Sequence, residues 1–227
     1  EYQNFFLKYK YSKYLKNFKY YKYNIKDTKK ILKLVRLYKP KFILNYAALG
    51  MVNESWVNPD DWYTTNLVYQ TALYKNLINF KFIKKIIHVS TPEVYGSTKK
   101  KLKENFKFNP STPYAISRAA MDFHLRRMYE QFRLPIIVTR TANVYGPGQS
   151  LKNPYTGILS IFSTQILNGN KINIFEDGKE TRDFVFIDDV VQATILGIEM
   201  DEANGQAFNV GTGVPTDVMT VAETLID

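Results

Sequence analysis

The architecture is clearest in the stretch Lys85-Ile86-Ile87-His88-Val89-Ser90-Thr91-Pro92-Glu93-Val94-Tyr95-Gly96, where a short apolar run leads directly into hydroxyl and polar side chains. A short apolar run rich in β-branched residues is typical of a buried strand. Similar runs lie at 42–47 and 135–140, and helical patterns cover 59–79 and 113–132. A further short strand is predicted at 172–175. This alternation predicts an α/β fold with a doubly wound parallel sheet, covered by helices on both faces.

Each predicted strand leads into a distinctive segment at its carboxyl end. Tyr46-Ala47-Ala48 follows the first strand, residues 90–96 follow the second, and residues 141–148 follow the third. Ligands of open parallel sheets bind beyond the carboxyl ends of the strands. We therefore expect a ligand site at this edge of the sheet.

Thr91, Tyr114 and Arg118 suggest the chemistry of that site. Tyr114 and Arg118 are four residues apart in a predicted helix, so they share one face about a turn apart. A cation near a phenol favours the ionised form, and a hydroxyl at the strand mouth can hold a substrate oxygen beside it. This arrangement suits a general base that takes the proton of an alcohol as hydride leaves its carbon.

Six segments resemble, in order, motifs of the nucleotide-sugar epimerases and dehydratases of the extended short-chain dehydrogenase/reductase family. They are FILNYAA (42–48), STPEVYG (90–96), PYAISR (113–118), RTANVYGPG (140–148), TRDFVFIDDV (181–190) and FNVGTG (208–213). The ordered set is far more specific than any single motif. The resemblance implies a Rossmann-like sheet and an NAD-dependent enzyme that acts on a nucleotide-diphosphate sugar.

The resemblance also implies four catalytic roles. Thr91 would polarise the 4-oxygen of the sugar, and Tyr114 would deprotonate the 4-hydroxyl while hydride passes from C4 to NAD. Glu93 would remove the C5 proton, or could simply be solvated. Arg118 stands where the family has a Lys that binds the nicotinamide ribose.

Further residues are implied as ligands of NAD and of the sugar diphosphate. The implied NAD contacts are Asn24, Ile25, Ala47, Ala48, Asn66, Tyr114, Arg118 and Thr141. Asn143 and Arg182 match residues that grip the diphosphate, although Asn143 could be a turn residue and Arg182 could pair with Asp183. No metal site is expected, since the chain has no Cys and its two His residues are more typical of structural positions.

The chain departs from the family pattern in several places. Its first glycine is Gly50, so no glycine-rich phosphate loop precedes it, and we infer that about the first 40 residues of the family fold are absent. The predicted domains are an incomplete NAD-binding domain at 1–146 and a partial substrate lobe at 147–227, with a strand near 207–210 returning to the sheet. Pro92 occupies the place of an Asp acid and cannot protonate a leaving hydroxyl.

The charge pattern limits the classes of partner. The net charge is +10, but residues 1–41 contain 13 Lys and Arg and only two acidic side chains. The excess therefore belongs to one segment, and no base-reading module accompanies it, so nucleic-acid binding through 1–41 is a minor alternative. The aromatic alternation at 18–23 indicates either a strand or a low-complexity tail. No apolar run is long enough to span a membrane, and we expect a cytoplasmic protein.

The sequence thus predicts a nucleotide-sugar 4,6-dehydratase that acts by transient oxidation at C4. A nucleotide-sugar 4-epimerase or a UDP-glucuronate decarboxylase is the alternative within the family, because these enzymes share Thr91, Tyr114 and the diphosphate ligands. A catalytically inactive nucleotide-sugar-binding protein is the alternative of another class. The resemblance also implies a homodimer formed through the helices near 59–79 and 113–132.

Overall fold

The computed structural model describes residues 18–98, 100–150, 157–174 and 176–226. They form two compact units. The sheet unit comprises residues 22–141 and 191–210, and the lobe unit comprises 142–190 and 211–226 with residues 18–21. The division into 1–146 and 147–227 remains a prediction of domain organisation.

The regular elements alternate along the chain, as the sequence predicts. The strands are β1 (Phe42–Asn45), β2 (Lys85–Ser90), β3 (Ile136–Thr141), β4 (Asn143–Tyr145), β5 (Thr181–Phe186), β6 (Ala207–Val210) and β7 (Pro215–Asp217). The helices are α1 (Thr28–Tyr38), α2 (Pro59–Tyr63), α3 (Tyr69–Leu77), α4 (Pro113–Phe132), α5 (Ile158–Leu167), α6 (Ile187–Glu199) and α7 (Val218–Ile226). A π-helical turn, Thr64–Val68, joins α2 to α3.

The sheet unit contains a four-stranded parallel sheet in the order β1-β2-β3-β6. Every residue of β3 is buried, whereas β1 pairs with β2 alone among the described strands. Phe42 and Leu44 of β1 are accordingly exposed. The predicted α/β fold with a parallel sheet is confirmed, and the strand near 207–210 pairs with β3 as expected.

Apolar side chains cover both faces of this sheet. On one face Ile86, Ile136 and Val138 pack with apolar residues of α1, α3 and α4. On the other face Ile87 and Ile137 pack with the C-terminal part of α6 and the residues after it. Burial on both faces explains why β2 and the first half of β3 read as continuous apolar runs.

The lobe unit contains a small sheet in the order β4-β5-β7. β4 and β5 are parallel, and β5 and β7 are antiparallel. Phe162 of α5 packs with Val221 and Ala222 of α7 in a separate apolar core.

One alternative that the sequence left open and one predicted strand are not found in the described residues. Residues 18–23 form no strand, because their side chains are exposed and the aromatic alternation therefore covers no apolar face. Residues 172–174, predicted as part of a strand at 172–175, have no regular structure, and Ile172 and Ile174 pack instead against the core of the lobe unit. Residue 175 lies outside the described residues.

Within the described ranges, no helix combines the length and apolar character that a membrane span requires.

Candidate active site

The carboxyl end of β1 leads into an open shelf formed by residues 47–50. Buried Asn45 accepts a hydrogen bond from Ala47 N at 3.1 Å, and Gln70 Nε2 donates to Ala47 O at 2.6 Å. Asn45 Nδ2 in turn donates to Gln70 Oε1 at 2.7 Å. The backbone of Ala47 is thus fixed on its buried side by Asn45 and Gln70, while the Ala47 and Ala48 side chains are exposed. A Cβ added at Gly50 would meet no atom within 4 Å, so the space above is open.

Asn66 lies beneath the same shelf, in the π-helical turn. Its Oδ1 accepts from Leu49 N at 2.8 Å, and its Nδ2 donates to Leu49 O at 3.0 Å and to Ser117 Oγ at 3.1 Å. The side chain is fully buried. The structure therefore places Asn66 below the backbone of the shelf rather than on its open surface.

Thr91 directly follows β2 and caps the short helical turn Pro92–Tyr95. Its Oγ1 accepts from Glu93 N at 3.2 Å, and the side chain is buried. The hydroxyl proton remains available as a donor, since a hydroxyl carries one proton and two lone pairs. Glu93 is half-buried in the same turn. The segment after β2 thus carries the Thr91 hydroxyl and the Glu93 carboxylate two residues apart.

The first turn of α4 carries Tyr114. Thr112 caps the helix by accepting from Ala115 N at 3.1 Å, and Pro113 occupies the first helical position, where its missing N–H is harmless. Tyr114 is half-buried, and Arg118 follows one turn later on the same face. The helix is therefore fixed where the phenol is attached.

Arg118 is 2% exposed and reaches back to the sheet. Its Nη2 donates to the carbonyl oxygen of Val89, the residue two before Thr91. Nε and Nη1 are buried and have no hydrogen-bond partner among the described residues. The guanidinium thus joins the helix turn of Tyr114 to the strand end of Thr91, and a contact with a cofactor ribose remains a prediction.

A neutral polar cluster lies behind Arg118. The Tyr74 hydroxyl is 2.8 Å from His88 Nδ1, and Asn45 Nδ2 donates to the same hydroxyl at 3.0 Å. Burial, with a contribution from the Arg118 charge, lowers the pKa of His88 well below its usual value. Burial raises the pKa of the Tyr74 phenol. Both side chains are therefore neutral near pH 7, and His88 is structural as expected.

A buried ion pair, which sequence reasoning missed, lies next along α4. Arg140 Nε donates to Asp122 Oδ2 at 2.9 Å, and Arg140 Nη1 donates to the Tyr95 hydroxyl at 2.5 Å. The guanidinium also lies near the rings of Tyr95 and Phe108, with its Cζ at 5.1 and 4.7 Å from their centroids. Burial raises the pKa of Asp122, while Arg140 opposes that shift. The spacing of the sequence gives no signal for this pair, because Asp122 and Arg140 are 18 residues apart and lie on different elements.

The remaining predicted NAD contacts lie at three places. Asn24 is exposed and its Oδ1 accepts from Lys26 N at 3.1 Å, while Ile25 packs against the main core. Thr141 ends β3, and its buried Oγ1 has no partner in the part of the chain that the structure describes.

The predicted diphosphate ligands belong to the lobe unit. Asn143 begins β4 and is exposed, opposite Phe184 of β5. Arg182 is exposed, and its Nη1 donates to Thr181 O at 2.8 Å. The Asp183 carboxylate is engaged elsewhere, because it accepts hydrogen bonds from Thr212 N and Oγ1 and from Gly213 N, at 2.9, 2.7 and 2.8 Å.

A cavity of about 300 Å³ lies next to β4. It is lined by residues 145–149 and by Leu159, Ser160 and Ser163 of α5. Across the described ranges, no three His, Asp or Glu side chains are grouped to hold a metal ion.

Comparison with known proteins identifies the family to which this geometry belongs. The model of the NAD dependent epimerase/dehydratase family matches residues 6–211. The chain belongs to this family, as its motifs predict.

Three relatives illustrate the similarity. A dTDP-D-glucose 4,6-dehydratase of Dictyostelium discoideum is 31% identical over 216 residues, which cover 90% of this chain and 48% of the relative. The UDP-glucose 4-epimerase of Thermotoga maritima, solved with UDP-glucose, has a TM-score of 0.85 and 30% identity, covering 93% of this chain and 69% of that one. A dTDP-glucose 4,6-dehydratase of Streptomyces venezuelae, solved with NAD bound, has a TM-score of 0.79 and 25% identity, covering 90% and 62%.

The chain spans about half the length of the curated relatives that it matches.

Proposed function

We propose that this chain carries the chemistry of an NAD-dependent nucleotide-sugar 4,6-dehydratase, similar to the dTDP-glucose enzymes, which oxidises C4 of the sugar transiently. The observation that carries the proposal is the hydrogen bond by which Arg118 connects the first turns of α4 to the carboxyl end of β2. Thr91 and Glu93 follow β2, Tyr114 opens α4, and the buried Arg118 joins these two elements through Val89 O.

The residues of the shelf fit an NAD cofactor. Ala47 and Ala48 are small and exposed, and their backbone is held from below, so a flat ring can approach without displacing a side chain. We propose further contacts with NAD from Asn24, Ile25, Thr141 and Tyr114. Asn66 and Arg118 would support the site from its buried side. NAD held at this site would supply the acceptor for the hydride of C4 and, later, the donor of the hydride that the sugar regains.

Tyr114 and Thr91 would act on the 4-hydroxyl of the sugar. As the phenolate, Tyr114 would take the hydroxyl proton as the hydride leaves C4, which is general base catalysis. The Thr91 hydroxyl would donate a hydrogen bond to the same oxygen. Its proton is free for this bond, because its contact with Glu93 N uses only a lone pair. Tyr114 and Thr91 would thereby keep the 4-oxygen of the sugar in place while it loses its proton.

Glu93 would act at C5 once C4 is oxidised. Its carboxylate removes the C5 proton, which the neighbouring carbonyl makes acidic. The side chain of Pro92 holds no proton, so Glu93, now protonated, returns the proton to the C6 hydroxyl as that group leaves as water. The 6-deoxy sugar would be completed by a hydride at C6, supplied by the reduced cofactor, and by a proton at C5 from solvent, which balances the 4-hydroxyl proton that Tyr114 passes to solvent.

Asn143 and Arg182 are proposed to bind the diphosphate of the substrate. The Arg182 guanidinium is exposed, and its planar set of donors matches the oxygens of a phosphate. The exposed Asn143 side chain offers a further donor.

A nucleotide-sugar 4-epimerase is the second candidate, and Pro92 is the observation that favours it. A 4-epimerase oxidises C4 and returns the hydride to the other face, so it needs no acid at C6. The Thr91 and Tyr114 arrangement serves both reactions equally well.

Product analysis separates these functions. The protein is incubated with NAD⁺ and dTDP-glucose, UDP-glucose or UDP-glucuronate, and the products are identified by mass and NMR. A 4-keto-6-deoxy sugar supports the proposal, a 4-epimer alone shows the second candidate, and loss of CO₂ from UDP-glucuronate shows a decarboxylase. Nucleotide-sugar binding without NAD binding or turnover would identify an inactive homologue and overturn the proposal.

We also propose a homodimer through α2, α3 and α4. Ile116 and Phe123 lie seven residues apart on α4, so they share one face, and both are exposed apolar side chains. Val68, in the turn between α2 and α3, is exposed as well. Sedimentation of the wild type and of the Ile116→Glu/Phe123→Glu double variant tests this interface, and a wild-type monomer would overturn it.

A further inference from the structure

A continuous chain of buried hydrogen bonds runs from the shelf to the backbone of Tyr114. Asn66 bonds both backbone groups of Leu49, at 2.8 and 3.0 Å, and donates to Ser117 Oγ at 3.1 Å. Ser117 Oγ then donates to Tyr114 O at 2.7 Å. Asn66 and Ser117 are both fully buried. The chain therefore connects three separate parts of the sequence through two side chains.

The hydrogen-bonding capacity of Asn66 decides its role. An asparagine amide has two N–H donors, and Asn66 gives one to Leu49 O and the other to Ser117 Oγ. No donor remains for a ligand above the shelf. Its carbonyl oxygen is occupied by Leu49 N, and the side chain has no exposed surface.

Ser117 is equally committed. Its single proton goes to Tyr114 O, and its oxygen accepts the Asn66 amide. A hydroxyl that bonds the carbonyl three residues earlier in its own helix usually serves that helix alone. Here the same hydroxyl also receives a bond from a residue 51 positions away.

The π-helical turn explains how Asn66 reaches both partners. A π-helical turn is frequently found at functional sites, and this one spans Thr64–Val68 with Asn66 at its centre. The extra residue in the turn changes the direction in which the following side chains point. Asn66 is thereby inserted between the shelf and α4.

We propose that Asn66 and Ser117 are positioning residues that fix the 47–50 shelf and the Tyr114 turn of α4 in one geometry, with Asn66 making no direct contact with the cofactor. The inference rests on the proposed function, in which the shelf is part of the NAD site and Tyr114 receives the proton. Hydride and proton transfers are both sensitive to small displacements, so a rigid link between their supports increases the rate of the chemical step.

The test uses Ser117→Ala, Asn66→Ala and the double variant in the full chain. Two quantities are measured: the hydrogen-exchange rate of the Leu49 amide by NMR, and kcat and KM for the nucleotide sugar. Ser55→Ala is the matched control, because Ser55 is also fully buried and its hydroxyl donates to Val52 O, again three residues earlier, at 2.5 Å.

Ser117→Ala should speed exchange of the Leu49 amide about fivefold, the effect of one weakened hydrogen bond, although Ser117 does not bond Leu49. It should lower kcat with KM unchanged, whereas Ser55→Ala should alter neither quantity. The double variant should exchange no faster at Leu49 than Asn66→Ala alone, because Ser117 acts through Asn66.

An unchanged Leu49 exchange rate in Ser117→Ala, or additive effects in the double variant, would overturn the inference. A wild-type chain that turns over no nucleotide sugar, combined with faster Leu49 exchange in Ser117→Ala, would refute the proposed function while supporting the mechanical link. The two failures are therefore distinguishable.

Discussion

The two groups of proposed site residues differ in how they are supported. In the sheet unit, Thr91 and Arg118 are buried and hydrogen-bonded to neighbouring backbone, and Tyr114 begins a helix with a side-chain cap. In the lobe unit, Asn143 and Arg182 are exposed.

The difference matches the two tasks. Proton and hydride transfer require atoms to be held at short distances before the substrate arrives, and buried hydrogen bonds supply that rigidity. A diphosphate is large, charged and able to accept hydrogen bonds from several directions, so exposed side chains can order around it on binding. Rigidity is therefore expected to matter for kcat in the sheet unit and binding for KM in the lobe unit.

The largest expected effect is that of Tyr114→Phe. Without the phenol oxygen no group accepts the 4-hydroxyl proton, so kcat should fall about 1,000-fold, within the usual range for loss of a general base. The measurement is turnover of the nucleotide sugar, with circular dichroism to check that the helices persist. A kcat within tenfold of the wild type would remove Tyr114 from the mechanism.

The next effect tests whether the buried Arg140–Asp122 ion pair stabilises the sheet unit. Arg140→Met leaves the Asp122 carboxylate buried without its ion pair and should lower the free energy of unfolding by about 3 kcal/mol. Urea denaturation measures this change. The matched control is Arg140→Met/Asp122→Leu, which removes both charges and should recover most of the loss. A single variant as stable as the wild type would contradict this account.

A smaller effect is expected in the lobe unit. Arg182→Ala should raise KM for the nucleotide sugar about tenfold to 100-fold, the effect of losing charge-assisted hydrogen bonds, and leave kcat within a few-fold. The melting temperature should stay the same, because the side chain is exposed. The KM of Arg182→Lys should fall between those of the wild type and Arg182→Ala. A fall in kcat at unchanged KM would break the contrast between the two units.

The smallest effect concerns pH. The pKa of His88 is lower in the folded chain than the value of about 6.5 expected after unfolding. Below pH 6.5 the unfolded chain therefore binds a proton that the folded chain does not, so stability falls as the pH drops. We expect a loss of about 1 kcal/mol between pH 7.5 and 5.5.

Thermal unfolding of the wild type and of His88→Gln over this pH range checks the expectation. Glutamine can still accept a bond from Tyr74 but does not titrate, so its curve should be flatter. Asp122 is present in both proteins and its opposite contribution cancels in the comparison. Parallel curves would show that His88 is not the source.

The sequence alone was enough to predict the elements that carry strong local signals. α4 begins at Pro113 and ends at Phe132, as predicted, because Thr112 and Pro113 form a recognisable helix start. The strand Lys85–Ser90 is likewise found where its apolar run lies. The three-residue strands β4 and β7 were not predicted, since so short a segment shows no period.

The sequence predicts which residues form the proposed site, but it does not predict the directions of their side chains. Helical spacing places Tyr114 and Arg118 on one face, yet only the folded chain shows that the guanidinium reaches Val89 O, 29 residues earlier. The same limit applies to Asn66, whose direction depends on a π-helical turn that has no clear sequence signature. Such contacts depend on tertiary packing, which periodicity does not contain.

The exposed edge of β1 has a practical consequence for handling this protein. β1 has one strand neighbour among the described residues, and Phe42 and Leu44 are 45% and 48% exposed. An open edge with apolar side chains is a template on which another polypeptide strand can add. In handling this chain, a lysine in place of Leu44 would oppose strand addition at the part of this edge that the structure describes.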